Sequence, residues 1–176
     1  MLSNILPFNK SNVKCLFDEN EFQFFIAQSQ QELIHFCFQI TNNWSDAQDC
    51  AQEAYIKAWK KNSSFKEQSQ FKTWVYSIAK NICIDLIRDK KRKPELNIDD
   101  YQLNSLSNIE SDTEISDVFN KLSIDDKLLL FLRIEAGYSF EEISKILKIR
   151  PSTARKRFQR AREHFTKLYK GGNNNG

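Results

Sequence analysis

The sequence predicts an all-α protein made of two small helical domains joined by a flexible acidic linker, with a helix-turn-helix in the C-terminal domain. Three observations support this fold class. Apolar residues recur at spacings of three and four over long stretches, without a sustained run of alternating β-branched residues. Only four glycines and three prolines interrupt the 176 residues. Charge is segregated: residues 94–126 contain nine acidic residues and one basic residue.

Composition limits the class of protein. With 40% hydrophobic residues, the chain can form one ordinary core or two small ones. Cys15, Cys37, Cys50 and Cys83 lack zinc-ligand or redox spacing, so we expect reduced core thiols and no metal or cofactor. The N-terminus lacks the features of a secretory signal, and no apolar run approaches the roughly eighteen residues of a membrane span. A cytoplasmic protein without membrane insertion is therefore expected.

The N-terminal domain is predicted at residues 21–93. Residues 1–20 have no clear periodicity and are expected to be partly disordered. The first helix follows, from Glu21 to Ile40, because its apolar residues have helical spacing. These residues are Phe22, Phe25, Ile26, Leu33, Phe36, Cys37 and Ile40.

The second helix contains the sequence DAQDCAQEAYIKAW and has two contrasting sides. Small residues form a narrow stripe that lets another helix approach closely: Ala47, Cys50, Ala51, Ala54 and Ala58. The other side carries Asp49, Gln52, Glu53 and Lys60, with Ile56 among them and Trp59 at their edge. An apolar residue surrounded by acids suggests a protein interface. The periodicity leaves open the alternative that Ile56 and Trp59 pack under a neighbouring helix.

The third helix, FKTWVYSIAKNICIDLIR, separates a core face from a polar face. The core face consists of Phe71, Trp74, Val75, Ile78, Ile82 and Leu86. The other face carries Thr73, Ser77, Lys80, Asn81, Ile84 and Arg88, and four of the five residues from Asp89 to Lys93 are basic. A positive stripe beside aromatic residues suits nucleic acid, because cations neutralise phosphates and aromatic rings stack on bases. A solvated face with a cationic C-terminal end is the alternative.

A flexible linker is predicted at residues 94–112, which are rich in Asn, Asp and Ser. The C-terminal domain follows at residues 113–170. Ile115, Val118, Phe119 and Leu122 mark its first helix, and Ser123 can cap a second helix that continues to Glu135. Gly137 supplies a turn.

A helix-turn-helix is predicted at the end of this domain. Ser139 and Glu142 have the spacing of a capping box, and after a short turn Pro151 can begin the last helix. The buried side of that helix is assigned to Ala154, Phe158, Ala161, Phe165 and Leu168. Residues 150–170 contain eight basic residues and one acidic residue, which favours insertion into the major groove over an αα-hairpin with a solvated face. Residues 171–176 are expected to be a disordered tail.

Two segments together resemble a known family. The motif DAQDCAQEAYIKAW, then Phe65 and FKTWVYSIAKNICIDLIR, is similar to the second conserved domain of the extracytoplasmic-function (ECF) sigma factors of bacterial RNA polymerase. Residues 114–169, which contain YSFEEISKILKIRPSTARKRFQRARE, resemble the fourth domain of those factors. The resemblance covers about residues 21–93 and 114–169.

The resemblance implies core RNA polymerase and promoter DNA as partners and assigns three sets of site residues. Binding to core polymerase is expected at Asp49, Gln52, Glu53, Ile56 and Trp59. Recognition and opening of the −10 element are expected at Phe65, Trp74, Ser77, Lys80, Asn81, Arg88, Lys91 and Arg92. Recognition of the −35 element is expected at Arg150, Ser152, Thr153, Arg155, Lys156, Gln159 and Arg160. The chain is expected to have no catalytic residues and to be a monomer when free.

The chain departs from the family pattern in the C-terminal domain. Ser123 follows Leu122 where the family usually has proline, a change that a capping serine can absorb. Lys148 stands in the helix-turn-helix turn, where glycine or asparagine is common. A left-handed backbone there costs a lysine about 1 kcal/mol.

Two other classes of function are alternatives to this one. A free-standing helix-turn-helix regulator, with residues 21–93 as a dimerisation or sensing domain, would bind duplex DNA tightly without polymerase. A helical enzyme has little support, because His35 and His164 are far apart and no phosphate loop or metal cluster occurs. The sequence leaves open whether an anti-sigma protein masks these surfaces.

Overall fold

The computed structural model describes residues 17–62, 65, 70–92 and 118–172. Within these ranges the chain forms helices and turns but no strand, as the periodicity predicts. Six α-helices follow one another along the chain: α1 (Glu19–Thr41), α2 (Trp44–Lys60), α3 (Phe71–Arg92), α4 (Ile124–Leu130), α5 (Phe140–Leu147) and α6 (Pro151–Gly172). We call α1 to α3 the first unit and residues 118–172 the second unit.

The first unit begins two residues earlier than the sequence predicts. The Asp18 side chain accepts a hydrogen bond from the backbone of Glu21, whose own side chain accepts one from Asp18, so a capping box starts α1 at Glu19. Residues 1–16, the predicted linker at 94–112 and the end of the predicted tail lie outside the described residues. The same is true of residues 113–117 at the predicted start of the C-terminal domain.

The small-residue stripe of α2 is buried against α1 and α3, as predicted. Each of its five members, Ala47, Cys50, Ala51, Ala54 and Ala58, is at most 3% exposed. Alanine side chains leave the helix backbones free to approach, and larger aromatic residues from α1 and α3 fill the remaining space. The result is a three-helix unit whose second helix is buried on one side and open on the other.

The three described cysteines are buried free thiols, as the sequence predicts. Cys37, Cys50 and Cys83 all lie in the core of the first unit, and Cys15 lies outside the described residues. A hydrogen bond with Cys83, followed by burial, raises the pKa of Cys50. Cysteine side chains buried in this way act as small apolar core residues.

The second unit follows the predicted caps. Ser123 accepts a hydrogen bond from Asp126 N at the start of α4, and Ser139 forms the expected capping box with Glu142 at the start of α5. Gly137 has φ +71° and Lys148 has φ +57°, so both predicted turns use left-handed backbone. The last helix begins at Pro151, as predicted.

The helix predicted to continue to Glu135 ends differently. After α4, Phe131–Glu135 form a π-helical turn, in which Ala136 N donates to Phe131 O at 3.0 Å. Tyr138 N then donates to Leu132 O at 2.8 Å. The sequence did not predict this turn, because over a single turn the spacing of apolar residues is similar for an α-helix, with hydrogen bonds four residues apart, and a π-helix, with hydrogen bonds five residues apart. The wider turn leads directly into Gly137 and places Tyr138 in the core.

The two units pack against each other and share one hydrophobic core. On one side Phe36 of α1 lies 6.2 Å from Phe131 between ring centroids, and on the other Tyr76 of α3 lies 5.4 Å from Tyr138. Leu128, Leu129, Leu132, Ile143, Ile146 and Leu147 of the second unit belong to the same core as the aromatic residues of the first. This packing places α5 along one face of α3 and so determines which candidate site residues are accessible.

Candidate functional site

The open side of α2 presents the acidic face expected to bind polymerase. Asp49, Gln52 and Glu53 are exposed, and Glu53 pairs with Lys57 one turn later at 2.6 Å. Ile56 is half-buried on the same side. The face therefore combines an apolar centre with polar, accessible neighbours, which is the pattern of a protein interface.

Trp59 occupies the edge of this face and packs inward. Its ring centroid lies 4.9 Å from that of Phe22, and the side chain is half-buried. Trp59 therefore packs against a neighbouring helix, which is the alternative that the periodicity left open. The indole thus packs between α1 and α2 at the edge of the core of the first unit.

The residues expected to contact the −10 element divide into two groups along α3. Asn81 is exposed at the middle of the helix, and Arg88, Lys91 and Arg92 are exposed towards its C-terminal end. The remaining residues are half-buried: Phe65, Trp74, Ser77 and Lys80. The ring of Phe65 lies 5.1 Å from that of Trp74, so these two aromatic residues form one surface.

The alternative of a solvated polar face on α3 is wrong for the N-terminal half of the helix. Thr73 is 1% exposed, and Ser77 and Lys80 are half-buried because α5 packs along them. Lys80 Nζ donates to Leu147 O at the end of α5, at 3.4 Å. The sequence could not reveal this contact, because its partners are 67 positions apart and both sides of α3 are used for packing.

One cleft separates the candidate −10 and −35 residues. It has a volume of about 840 Å³ and is lined by Trp74 and Ser77 on one side and by Arg150 and Thr153 on the other. Burial lowers the pKa of Lys80, and the nearby charge of Lys148 lowers it further. Separation of the two units would restore ordinary hydration to the Lys80 ammonium group.

Sequence reasoning missed Lys72, which joins the two units. Its Nζ donates to Glu32 of α1 at 2.6 Å and lies 5.5 Å from the Tyr138 ring centroid and 5.9 Å from that of Tyr76. A cation above aromatic rings is attracted by their negative faces. The spacing of Lys72 and Tyr76 by one helical turn places them side by side, but only the fold brings Tyr138 to them.

The residues expected to bind the −35 element lie along the N-terminal half of α6. Arg150, Ser152, Arg155, Lys156, Gln159 and Arg160 are exposed, and Thr153 is half-buried beside the cleft. Arg155 pairs with Glu141 of α5 at 2.6 Å, and its guanidinium lies 5.7 Å from the Phe140 ring centroid. Ala154 and Ala161 are buried beneath these residues, so the basic side of α6 faces outward.

The described residues contain neither a metal-binding group of acidic, histidine and cysteine side chains nor a helix capable of crossing a membrane. The candidate site residues lie on three surfaces of the described structure. These are an exposed acidic face, a partly covered aromatic and cationic face, and an exposed basic helix.

Comparison with known proteins assigns a family to each unit. Residues 25–93 match sigma-70 region 2, and residues 112–165 match sigma-70 region 4. Among solved structures, the chain is similar to the sigma factor RpoE from Bartonella quintana, which is in complex with the anti-sigma factor NepR. The TM-score is 0.72 at 23% identity, with 86% of this chain and 98% of that chain covered.

Two curated relatives extend the similarity over nearly the whole chain. The RNA polymerase sigma-H factor of Pseudomonas aeruginosa is 28% identical over 167 residues, which cover 85% of this chain and 86% of the relative. The ECF RNA polymerase sigma factor SigW of Bacillus subtilis is 30% identical over 169 residues, which cover 85% of this chain and 89% of the relative. With both regions matched in order on a two-unit helical fold, the chain belongs to the ECF sigma factors of RNA polymerase.

Proposed function

We propose that this sigma factor directs transcription initiation through three separate surfaces, one for polymerase and two for promoter DNA. As a member of its family, the chain binds core RNA polymerase and promoter DNA and is not an enzyme. Family membership also removes the free-standing regulator as the main alternative. The assignment of each surface to its partner is the part that we propose.

The observation that carries the proposal is the difference in accessibility between the surfaces. The acidic face of α2 is exposed, whereas Trp74, Ser77 and Lys80 of α3 are covered in part by the second unit. Polymerase can therefore dock on α2 while the two units remain packed together. Recognition of the −10 element requires the units to separate, so the free chain should bind promoter DNA weakly.

The chemistry of each DNA surface suits a different form of DNA. Phe65 and Trp74 provide aromatic rings for unpaired bases, whose stacking contributes about 1–3 kcal/mol per base. Arg88, Lys91 and Arg92 provide cations for the phosphates of the same strand. The basic side of α6 has the diameter and charge to enter the major groove of the −35 duplex. Strand opening is thus assigned to the first unit and duplex anchoring to the second.

The remaining expectations concern the setting of the protein. We place it in the cytoplasm, where its polymerase partner acts, and expect it to be a monomer when free. An anti-sigma protein is a further candidate partner, because the similar RpoE structure contains NepR. Such a partner would act by covering the exposed surfaces described above.

Reconstitution with core polymerase tests the proposed function. The purified chain should convert core polymerase into a holoenzyme that transcribes specific fragments of the source genome, and sequencing of the transcripts would identify a promoter. The chain alone should shift the same promoter duplex weakly in a gel. Failure to bind core polymerase at submicromolar concentration, or a tight gel shift without core, would contradict the proposal.

Replacement of Arg155 with alanine should weaken recognition of the −35 element. We expect the binding free energy for promoter DNA to fall by about 1–3 kcal/mol if the Arg155 guanidinium makes a bidentate base contact. To make that contact Arg155 must leave Glu141, and loss of this exposed ion pair costs at most about 1 kcal/mol. The measurement is holoenzyme affinity for the identified promoter, with and without a scrambled −35 element. Lys167→Ala removes one exposed charge from the same helix and is the matched control. An equal loss in both variants would mean that Arg155 acts only as a charge.

A further inference from the structure

Asn62 is an almost completely buried asparagine immediately after α2. It is 2% exposed, and its side chain pairs with the backbone of one residue, Phe17, from 45 positions earlier. Asn62 Nδ2 donates to Phe17 O at 2.8 Å, and Asn62 Oδ1 accepts from Phe17 N at 3.3 Å. A buried amide without partners is unfavourable, so this double pairing strongly favours one position of the Phe17 backbone relative to the end of α2.

The paired residue is connected to the aromatic surface of the first unit. The ring of Phe17 lies 4.6 Å from that of Phe71, and Phe71 in turn contacts Phe65 at 5.4 Å and Trp74 at 5.4 Å between centroids. A second connection is direct, because Phe65 N donates to Asn62 O at 3.3 Å. Asn62 is therefore linked to Phe65 by a backbone hydrogen bond and to Phe71 indirectly, by the packing of Phe17 on Phe71.

We propose that Asn62 is a positioning residue for recognition of the opened −10 strand. It holds Phe65 and Trp74 in one orientation and ties Phe17 to the same aromatic surface, without itself touching DNA. The inference rests on the proposed function, because it assigns Phe65 and Trp74 to unpaired bases. Rings held in place before binding lose less conformational entropy when a base stacks on them. An apolar residue at position 62 would fill the space but leave the Phe17 backbone groups unpaired.

The test uses the holoenzyme and the promoter identified by reconstitution. 2-Aminopurine is placed at successive positions of the −10 non-template strand, and its fluorescence reports unstacking of the base during opening. Asn62→Ala should bind core polymerase with unchanged affinity and lower the equilibrium constant for opening about tenfold, a loss comparable with one stacked base. Opening within about twofold of the wild type would overturn the role of Asn62.

Ser29→Ala is the matched control for general destabilisation. Ser29 is also buried in the first unit, where its hydroxyl pairs with Tyr55 at 2.8 Å and with Phe25 O at 2.7 Å. This variant should unfold at lower denaturant concentration while opening the promoter normally once bound to core. If Ser29→Ala impaired opening as much as Asn62→Ala, the effect would be one of stability and the proposal would be wrong.

Phe17→Ala provides an independent route to the same result. It keeps both backbone partners of Asn62 but removes the ring that contacts Phe71, so it should also reduce opening. The double variant should lose less than the sum of the two single losses, because both act through one connection. Normal opening by Phe17→Ala would overturn the proposal even if Asn62→Ala failed to fold. Absence of opening by the wild-type holoenzyme would instead overturn the proposed function on which the inference rests.

Discussion

Replacement of Tyr138 with alanine is expected to separate the two units of the free chain and expose the −10 surface. Tyr138 is 5% exposed, its ring packs on Tyr76, and Lys72 lies above it. Removal of a buried aromatic side chain of this size costs about 3 kcal/mol or more. If that loss falls mainly on the packing between the units, the equilibrium shifts toward the open form by roughly 100-fold.

Two measurements on the free chain check this expectation. Fluorophores attached to α2 and α6 should report a longer distance in Tyr138→Ala than in the wild type, and affinity for the single-stranded −10 sequence should rise. Circular dichroism should show that both units keep their helices. An unchanged distance, or loss of the helices of the second unit, would show that Tyr138 does not control the packing between units.

Tyr138→Phe is the control for this experiment. The Tyr138 hydroxyl is buried without a hydrogen-bond partner among the described residues, and burial raises the pKa of the phenol. Phenylalanine keeps the ring and removes the unpaired group, so the closed arrangement should be unchanged or slightly favoured. Any opening by Tyr138→Phe would mean that the hydroxyl contributes a contact of its own.

Replacement of Ile56 with glutamate is expected to weaken binding to core polymerase strongly. Ile56 is half-buried at the centre of the exposed acidic face, and a docked polymerase would desolvate a carboxylate there beside Asp49 and Glu53. The cations of this face offset little of that cost, because Lys57 already pairs with Glu53 and Lys60 is exposed to solvent. An unpaired buried charge at a protein interface costs about 2–5 kcal/mol, so affinity should fall by at least about 30-fold. The measurement is titration of the labelled chain with core polymerase.

Arg155→Ala is the reciprocal control for Ile56→Glu. It should retain the affinity of the wild type for core polymerase while losing recognition of the −35 element. Ile56→Glu should keep its helical content, because the side chain is only half-buried in the free protein. If Ile56→Glu bound core normally, the docking surface would lie elsewhere, and if both variants merely precipitated, neither face assignment would stand.

Local sequence predicted where α4, α5 and α6 begin, but it did not predict the π-helical turn after α4. The hydrogen bonds at Ser123 and Ser139 join residues three positions apart, and Pro151 and Gly137 act through their own backbone angles. Lys148 adopts the left-handed conformation that its place in the turn requires, despite a cost of about 1 kcal/mol. The small-residue side of α2 was predicted equally well, because helical periodicity alone brings its members together.

Accessibility at the site was harder to predict. Periodicity placed Ser77 and Lys80 on a polar side of α3, which was correct, but it also implied exposure to solvent, which was wrong. The second packed side of α3 is polar and not apolar. A lysine can be partly buried there because the Lys80 ammonium group donates a hydrogen bond to the Leu147 carbonyl. The burial of Asn62 could not be predicted either, because nothing near it in the sequence indicates Phe17 as its hydrogen-bond partner.

The sequence by itself determined the helical class, the order of the two units, the caps and the acidic and basic faces, because these depend on hydrogen bonds and periodicities within a few residues. Only the tertiary structure decided which faces remain open. The contacts of Lys72 with Tyr138, Lys80 with Leu147 and Asn62 with Phe17 join segments 45 to 67 positions apart. Such contacts depend on how whole helix surfaces fit together, and no pattern within one helix contains that information.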